Sequence, residues 1–341
     1  MSSTMFSAVI AAIFLTQVAQ ASNSAFYYSS SGCNAQGLKL DSTGHLNRTL
    51  PSGRTYLLHV PSNYDSNASH PLVLSFHGAG GTSANQEKLS QFSVPGIAIG
   101  GLPVIAAYPQ GADNTAEKRT GVWYSAPYAN TTVDDVQFAK DVVADISSHY
   151  CINPVRVYAS GKSNGGGFTA YLACRPDTST LFAAFAPVSP VSPALYNGTL
   201  AFSGCDPSRP VPIINSHGVV DQTIPFEGRN VSATGDYGVG TATINVSLWR
   251  RQWAIRNGCY SNGSLPDPTY TIHPYPNATE EVWQCNAVLE AFTTSDLGHS
   301  WPTTLGLDSS GAPNNTASYN LTNPSILDFF SVNTLPIGYL K

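Results

Sequence analysis

One stretch constrains this chain more than any other: Val155-Arg156-Val157-Tyr158-Ala159-Ser160-Gly161-Lys162-Ser163-Asn164-Gly165-Gly166-Gly167-Phe168. Its first half alternates apolar and polar residues around β-branched valines, the pattern of a short buried strand. Its second half spells G-x-S-x-G and runs into Phe168, Ala170, Tyr171 and Leu172, the start of a helix. Between a strand and a helix this motif is a sharp turn that presents its serine in strained geometry. The residues two before and two after that serine must then lack a β-carbon, and Gly161 and Gly165 do. Ser163 is predicted to be a nucleophile beside a helix N-terminus that favours negative charge. With 29 glycines in 341 residues the motif alone is weak. Its weight comes from the strand before it and from the partners found below.

The remainder reads as strands alternating with helices. Residues 55–60, 72–76 and 104–108 are β-rich runs. Residues 135–150 carry Ala139, Val142, Val143, Ile146 and Tyr150 on one helical face, with Lys140, Asp141 and Asp145 outward and Asp134 as N-cap. Strands follow at 182–188, 212–216, 270–273, 281–283 and 288–292. A helix is expected near 242–257, and Asn323-Pro324 starts a last one with Ile326, Leu327, Phe329 and Phe330 for packing. This alternation predicts the α/β class, with a mostly parallel central sheet and helices on both faces. No repeat, linker or charge run marks a boundary, so residues 22–341 are expected to form a single domain.

Residues 1–21 read as a secretory signal. The apolar run 5–18 is too short to span a bilayer comfortably, and Ala19-Gln20-Ala21 is a small-x-small cleavage site. A membrane anchor is the alternative, and the n-region lacks Lys and Arg. Sequons at Asn47, Asn67, Asn130, Asn197, Asn230, Asn245, Asn262, Asn277, Asn314 and Asn320 point the same way. Only 11% of the chain is charged, against roughly a quarter in ordinary domains. Glycans would replace that charge as a solubility device. A net charge of −5 without a basic stripe argues against nucleic acid and anionic membranes as partners. Nothing sets an oligomeric state, and a monomer is the default.

Six cysteines, an even number, suit three disulfides outside the cell, although fifteen connectivities are possible. The favoured pairing is Cys174–Cys205, Cys259–Cys285 and Cys33–Cys151. The first two close loops of about thirty residues, each worth about 3 kcal/mol on the chain-entropy model. No C-x-x-C pair is present, which argues against zinc, and no metal or cofactor is expected.

A serine nucleophile needs a base, an acid that orients the base, and donors for the oxyanion. On the α/β-hydrolase plan they follow in the order Ser, Asp/Glu, His. His299, in Gly298-His299-Ser300-Trp301-Pro302 just after a strand, is the expected base. His273 lies inside a strand, and His217, ending a buried strand before a glycine, reads as a satisfied core or loop histidine. The acid is Asp221, on the loop after the strand that ends near Ser216, with Glu227 and Asp296 as rivals. The backbone N–H groups of Asn164 and of a residue near Ala79, in Gly78-Ala79-Gly80-Gly81, are the expected oxyanion donors. A phosphate cradle is the alternative for that glycine run, but Ser83 stands where G-x-G-x-x-G needs its third glycine.

In order along the chain come Ser31-Gly32-Cys33, Phe76-His77-Gly78-Ala79-Gly80-Gly81-Thr82, Tyr108-Pro109-Gln110-Gly111, Val133-Asp134-Asp135-Val136, the Ser163 turn, Ser216-His217-Gly218 before Asp221, Asn257-Gly258-Cys259 and the His299 segment. Together they resemble the fungal feruloyl esterases grouped with polyhydroxybutyrate depolymerase-like esterases, from about Ser31 to the final helix. The resemblance implies an α/β-hydrolase fold and the triad Ser163, Asp221 and His299, and it supports the disulfide pairing above. It also implies a secreted enzyme that releases ferulic and related hydroxycinnamic acids from plant arabinoxylan. No four-cysteine cellulose-binding module follows a Ser/Thr/Pro linker, so no carbohydrate-binding module is expected. An aromatic acid would need an apolar cleft. Trp123 and Trp301 are candidate walls by position, with plain core packing as the alternative. An acetyl-xylan or polyester esterase would use the same triad, and an inactive glycan-binding homologue is the other class.

Overall fold

The computed structural model describes residues 28–124, 126, 128–190, 205–229, 243–260 and 263–340. Residues 1–21 and the sequons at Asn197, Asn230 and Asn262 lie outside them.

Ten strands among the described residues form one sheet: β1 His45–Thr49, β2 Thr55–His59, β3 His70–Phe76, β4 Ile105–Pro109, β5 Ile152–Lys162, β6 Ala184–Val188, β7 Ile213–Gly218, β8 Tyr270–Tyr275, β9 Ala278–Gln284 and β10 Val288–Thr294. Their spatial order is β1-β2-β4-β3-β5-β6-β7-β10-β9-β8. The pairings from β4 to β10 are parallel, and the strands at both edges pair antiparallel. Leu72, Val73, Leu74 and Phe76 are fully buried. A continuous apolar run of this kind marks a strand covered on both faces. One face packs α2 Asp135–His149, α3 Asn164–Cys174 and α4 Val246–Arg256, through Phe138, Val142, Phe168 and Trp253. The other packs α1 Ser83–Ser90 and α5 Leu327–Val332, through Leu89, Phe329 and Phe330.

The helix over 135–150 forms as expected, its Asp134 carboxylate accepting from the Gln137 N–H. Among the elements named above, helix α1 and strand β1 have no clear signal in the sequence. Helix α1 lacks an apolar stripe and is started by the Thr82 hydroxyl, which accepts from Asn85 N–H. Strand β1 has little β propensity of its own and is held by its ladder to β2. The last helix starts at Asn323-Pro324 as expected: Asn323 is extended (φ −121°, ψ 114°), a kink separates it from the turn at Leu321, and the chain from Pro324 runs on into α5.

The disulfides join Cys33 to Cys151, Cys174 to Cys205 and Cys259 to Cys285, the favoured pairing. No helix of the described residues is long and apolar enough to cross a membrane.

Within β10, burial pushes the Glu290 carboxyl up to about 7, helped by the charges of Glu280 and Asp328. A carboxyl raised on folding favours the fold while protonated. That contribution fades as pH rises from the unfolded value, 4.5, towards about 7. Glu290→Gln should therefore raise the melting temperature at pH 8 by about 2–4 °C or more and change it little at pH 4. Calorimetry at the two pH values reads this directly.

Candidate active site

Strand β5 delivers the Ser163 turn at the carboxyl end of the sheet, where ligands of open α/β sheets bind. Ser163 has φ 58° and ψ −120°, a strained conformation of the kind found at functional sites. The flanking glycines are forced by crowding. A β-carbon on Gly161 would lie 2.4 Å from the Gly165 carbonyl oxygen, and one on Gly165 would lie 2.2 Å from that of Phe76. Asn164 locks the turn from below: its Oδ1 accepts from Trp123 N–H at 2.8 Å, and its Nδ2 donates to Trp123 O at 3.1 Å.

Three distant side chains meet there. The Ser163 hydroxyl lies 2.8 Å from His299 Nε2, and His299 Nδ1 lies 2.7 Å from Asp221 Oδ2. A carboxylate can only accept, so Nδ1 carries the proton and Nε2 accepts from the serine. Asp221 sits just past β7. Its Oδ1 accepts from the Thr223 and Ile224 N–H groups, both at 2.8 Å. Burial pushes the Asp221 carboxyl up, but hydrogen bonds from His217 and His299 outweigh it and hold it well below the usual carboxylate range. Burial, then the Lys162 charge, pushes the His299 imidazole down, so it stands neutral and ready to accept a proton. The rival carboxylates lie elsewhere: Glu227 and Asp296 are exposed and bind the amides of Asn245 and Asn277.

The glycine run after β3 closes over the nucleophile. A β-carbon on Gly78 would come within 3.2 Å of Ser163 Cβ, so a side chain there would press on the serine. Gly80 N–H donates to Thr120 O at 3.0 Å and Gly81 N–H to Gly78 O at 2.9 Å. The Ala79 N–H has no backbone partner among the described residues. His77 is buried, donating from Nδ1 to Gly78 O at 2.8 Å and accepting Gly111 N–H on Nε2 at 3.0 Å. Burial lowers its pKa to about 4, so it stays neutral and serves as a loop staple. Beside this loop opens a cavity of about 330 Å³, lined by Ala79, Asn85, Lys88, Leu307 and Ser310 among others.

Neither tryptophan is a cleft wall. Trp123 is fully buried, stacks on Phe168 with centroids 5.3 Å apart, and donates from Nε1 to His77 O at 2.9 Å. Trp301 is buried against Phe92 and donates to the Thr322 hydroxyl at 3.1 Å. A place two residues from the base for Trp301, or on the loop after Gly121 for Trp123, fixes a backbone position but not the direction of the side chain, and both rings turn into the core.

Two contributors escaped the sequence reading. His217 does more than fill space: its Nε2 donates to Ile224 O at 2.8 Å and lies 3.3 Å from Asp221 Oδ2, fastening the loop that carries the acid. The four-residue spacing from His217 to Asp221 across a strand end was the available signal. Lys162, immediately before the nucleophile, forms a buried ion pair with Asp308 at 2.9 Å. Nothing in its local pattern announces that. No group of three or more His, Cys, Asp or Glu among the described residues could hold a metal ion.

A parallel sheet with a nucleophile turn and the chain order Ser, Asp, His defines an α/β-hydrolase. No protein-family model matches the chain. It is 27% identical over 316 residues to a probable feruloyl esterase C of Aspergillus clavatus, covering 92% of this chain and 96% of that protein. To feruloyl esterase B of Piromyces equi it is 27% identical over 224 residues, 66% of this chain but only 39% of that longer protein. A solved acetyl xylan esterase from Aspergillus awamori superposes with a TM-score of 0.49 at 18% identity, over 75% of this chain and 93% of that one. The curated relatives carry the name of the family that the ordered sequence motifs resemble.

Proposed function

We propose that the protein is a secreted serine carboxylic-ester hydrolase that cleaves feruloyl esters of plant cell-wall polysaccharide, with Ser163, His299 and Asp221 as its triad. The observation that carries the chemistry is the unbroken relay from Ser163 Oγ through His299 to Asp221, at 2.8 and 2.7 Å. His299 Nε2 takes the hydroxyl proton as Oγ bonds to the ester carbon. The tetrahedral adduct then breaks its C–O bond to the sugar, whose oxygen leaves with that proton. Water, deprotonated by the same nitrogen, hydrolyses the feruloyl-serine and restores the hydroxyl. Asp221 keeps the imidazole in the right tautomer and stabilises the imidazolium. The Asn164 and Ala79 N–H groups are the assigned oxyanion donors, each of a kind worth about 3–4 kcal/mol of barrier.

The substrate class rests on the named relatives. Secretion is supported by the three disulfides, which persist in oxidising compartments, and by residues 1–21. Exposed Asn47, Asn67 and Asn277 are the most accessible glycan acceptors among the described sequons. The test is a hydrolysis panel of methyl ferulate, acetylated xylan and a hydroxybutyrate polymer. Methyl ferulate should be the preferred ester. Activity confined to either of the others would reassign the substrate, and no hydrolysis together with no fluorophosphonate labelling would leave a non-enzymatic glycan binder.

A further inference from the structure

We infer that Lys162, through its pair with Asp308, is a positioning residue for the proton relay, joining the nucleophile turn to the loop of the base and holding a positive charge next in the chain to Ser163. This rests on the esterase reading above.

Alternation along β5 puts Tyr158, Ser160 and Lys162 on one face of the sheet, the face of α1 and α5. The first of these is packed there and bonded to Phe330 O at 2.6 Å. Lys162 is 4% exposed and Asp308 6%. The ammonium donates to Asp308 Oδ2 at 2.9 Å and to the Ser310 hydroxyl at 2.6 Å, and that hydroxyl donates to Asp308 Oδ1 at 2.6 Å. These three contacts close a ring of Lys162, Ser310 and Asp308. Asp308 reaches the base loop as well, since its Oδ2 accepts Trp301 N–H at 3.3 Å, two residues beyond His299. The segment after Ser310 then grips the base itself: Gly298 N–H donates to Asn314 O at 2.7 Å and His299 N–H to Ala312 O at 3.4 Å. One ion pair thus ties the residue before the nucleophile to the loop that presents the base.

A buried ion pair is a weak source of stability, because desolvation offsets most of the attraction. Packing alone would be met as well by an apolar pair. What an apolar pair cannot supply is the charge. The charged and titratable groups around His299 are Asp221 and His217 from β7 and its loop, and Lys162, backed by Asp308, from β5. The carboxylate of Asp221 favours the imidazolium, and Lys162 opposes it. Lys162 therefore keeps the base neutral to lower pH than the Asp221–His299 pair would by itself.

The test is the pH dependence of the rate at which a fluorophosphonate labels Ser163, which needs the relay but no recognition of the ester substrate. In Lys162→Met the labelling rate should fall about 10²-fold. The acidic limb of the profile should move to higher pH, because loss of the ammonium makes His299 easier to protonate. Lys162→Arg, which keeps the charge, should restore the limb to the wild-type position. Should Lys162→Met not fold, Lys162→Gln keeps a donor towards Asp308 without the charge and must show the same upward move. An unmoved or downward-shifted limb in a folded neutral variant, or the same shift in Lys162→Arg, overturns the inference. Wild-type protein that takes no label at all overturns the esterase reading instead.

Discussion

Ser163→Ala should lower kcat on methyl ferulate by about 10⁵–10⁶-fold and abolish fluorophosphonate labelling, while leaving the fold intact. The substitution removes one oxygen and adds no atom, so the strained turn keeps its crowded neighbours. What it removes is the oxygen hydrogen-bonded to His299 Nε2 at 2.8 Å. A residual rate about 10³–10⁴-fold above water is expected, because the oxyanion donors and the binding surface remain. An alanine variant that kept near-wild-type turnover would place the nucleophile elsewhere.

Asp221→Asn should cost about 10⁴-fold in kcat for a reason visible in the hydrogen bonds. Oδ1 is held by two backbone donors, Thr223 and Ile224 N–H, so an asparagine must put its oxygen there. Its NH₂ then occupies the Oδ2 position, facing His299 Nδ1 and His217 Nε2. An amide NH₂ only donates, which forces Nδ1 of His299 to become the acceptor and moves the ring proton to Nε2. The nitrogen that must receive the serine proton is then already protonated. Steady-state kinetics should show the loss in kcat with KM little changed. A crystal structure should show the triad distances nearly intact. A variant within about tenfold of wild type would mean that Asp221 does not set the tautomer.

The triad was legible because its constraints are local and ordered. Gly161 and Gly165 flank Ser163 because a β-carbon on either would lie only 2.4 or 2.2 Å from a carbonyl oxygen, and such a demand leaves a mark in the sequence. Asp221 and His299 each follow an apolar strand, so the strand ends that place them can be read without coordinates. For the tryptophans the structure takes the core-packing alternative: Trp301 lies two residues from His299 and Trp123 on the Gly121-Val122-Trp123-Tyr124 loop, but a side chain's direction depends on the local backbone and on what it packs against. Their burial against Phe168 and Phe92 has no signature in spacing. His217 is the buried histidine expected at this strand end, bonded to Ile224 O, but its approach to Asp221 exists only once the loop has folded back.

The sequence by itself determined the layered α/β class, the elbow serine with its two obligatory glycines, and the order of nucleophile, acid and base. Each of these follows from periodicity, from the absence of a β-carbon, or from position at a strand end, all properties of short stretches of chain. Only the tertiary structure decided that both tryptophans face inward, that His217 approaches Asp221, and that Lys162 joins Asp308 beside the nucleophile turn. Those outcomes depend on close packing and on hydrogen bonds between residues remote along the chain, and no local pattern encodes the direction of a side chain or the partner it will find.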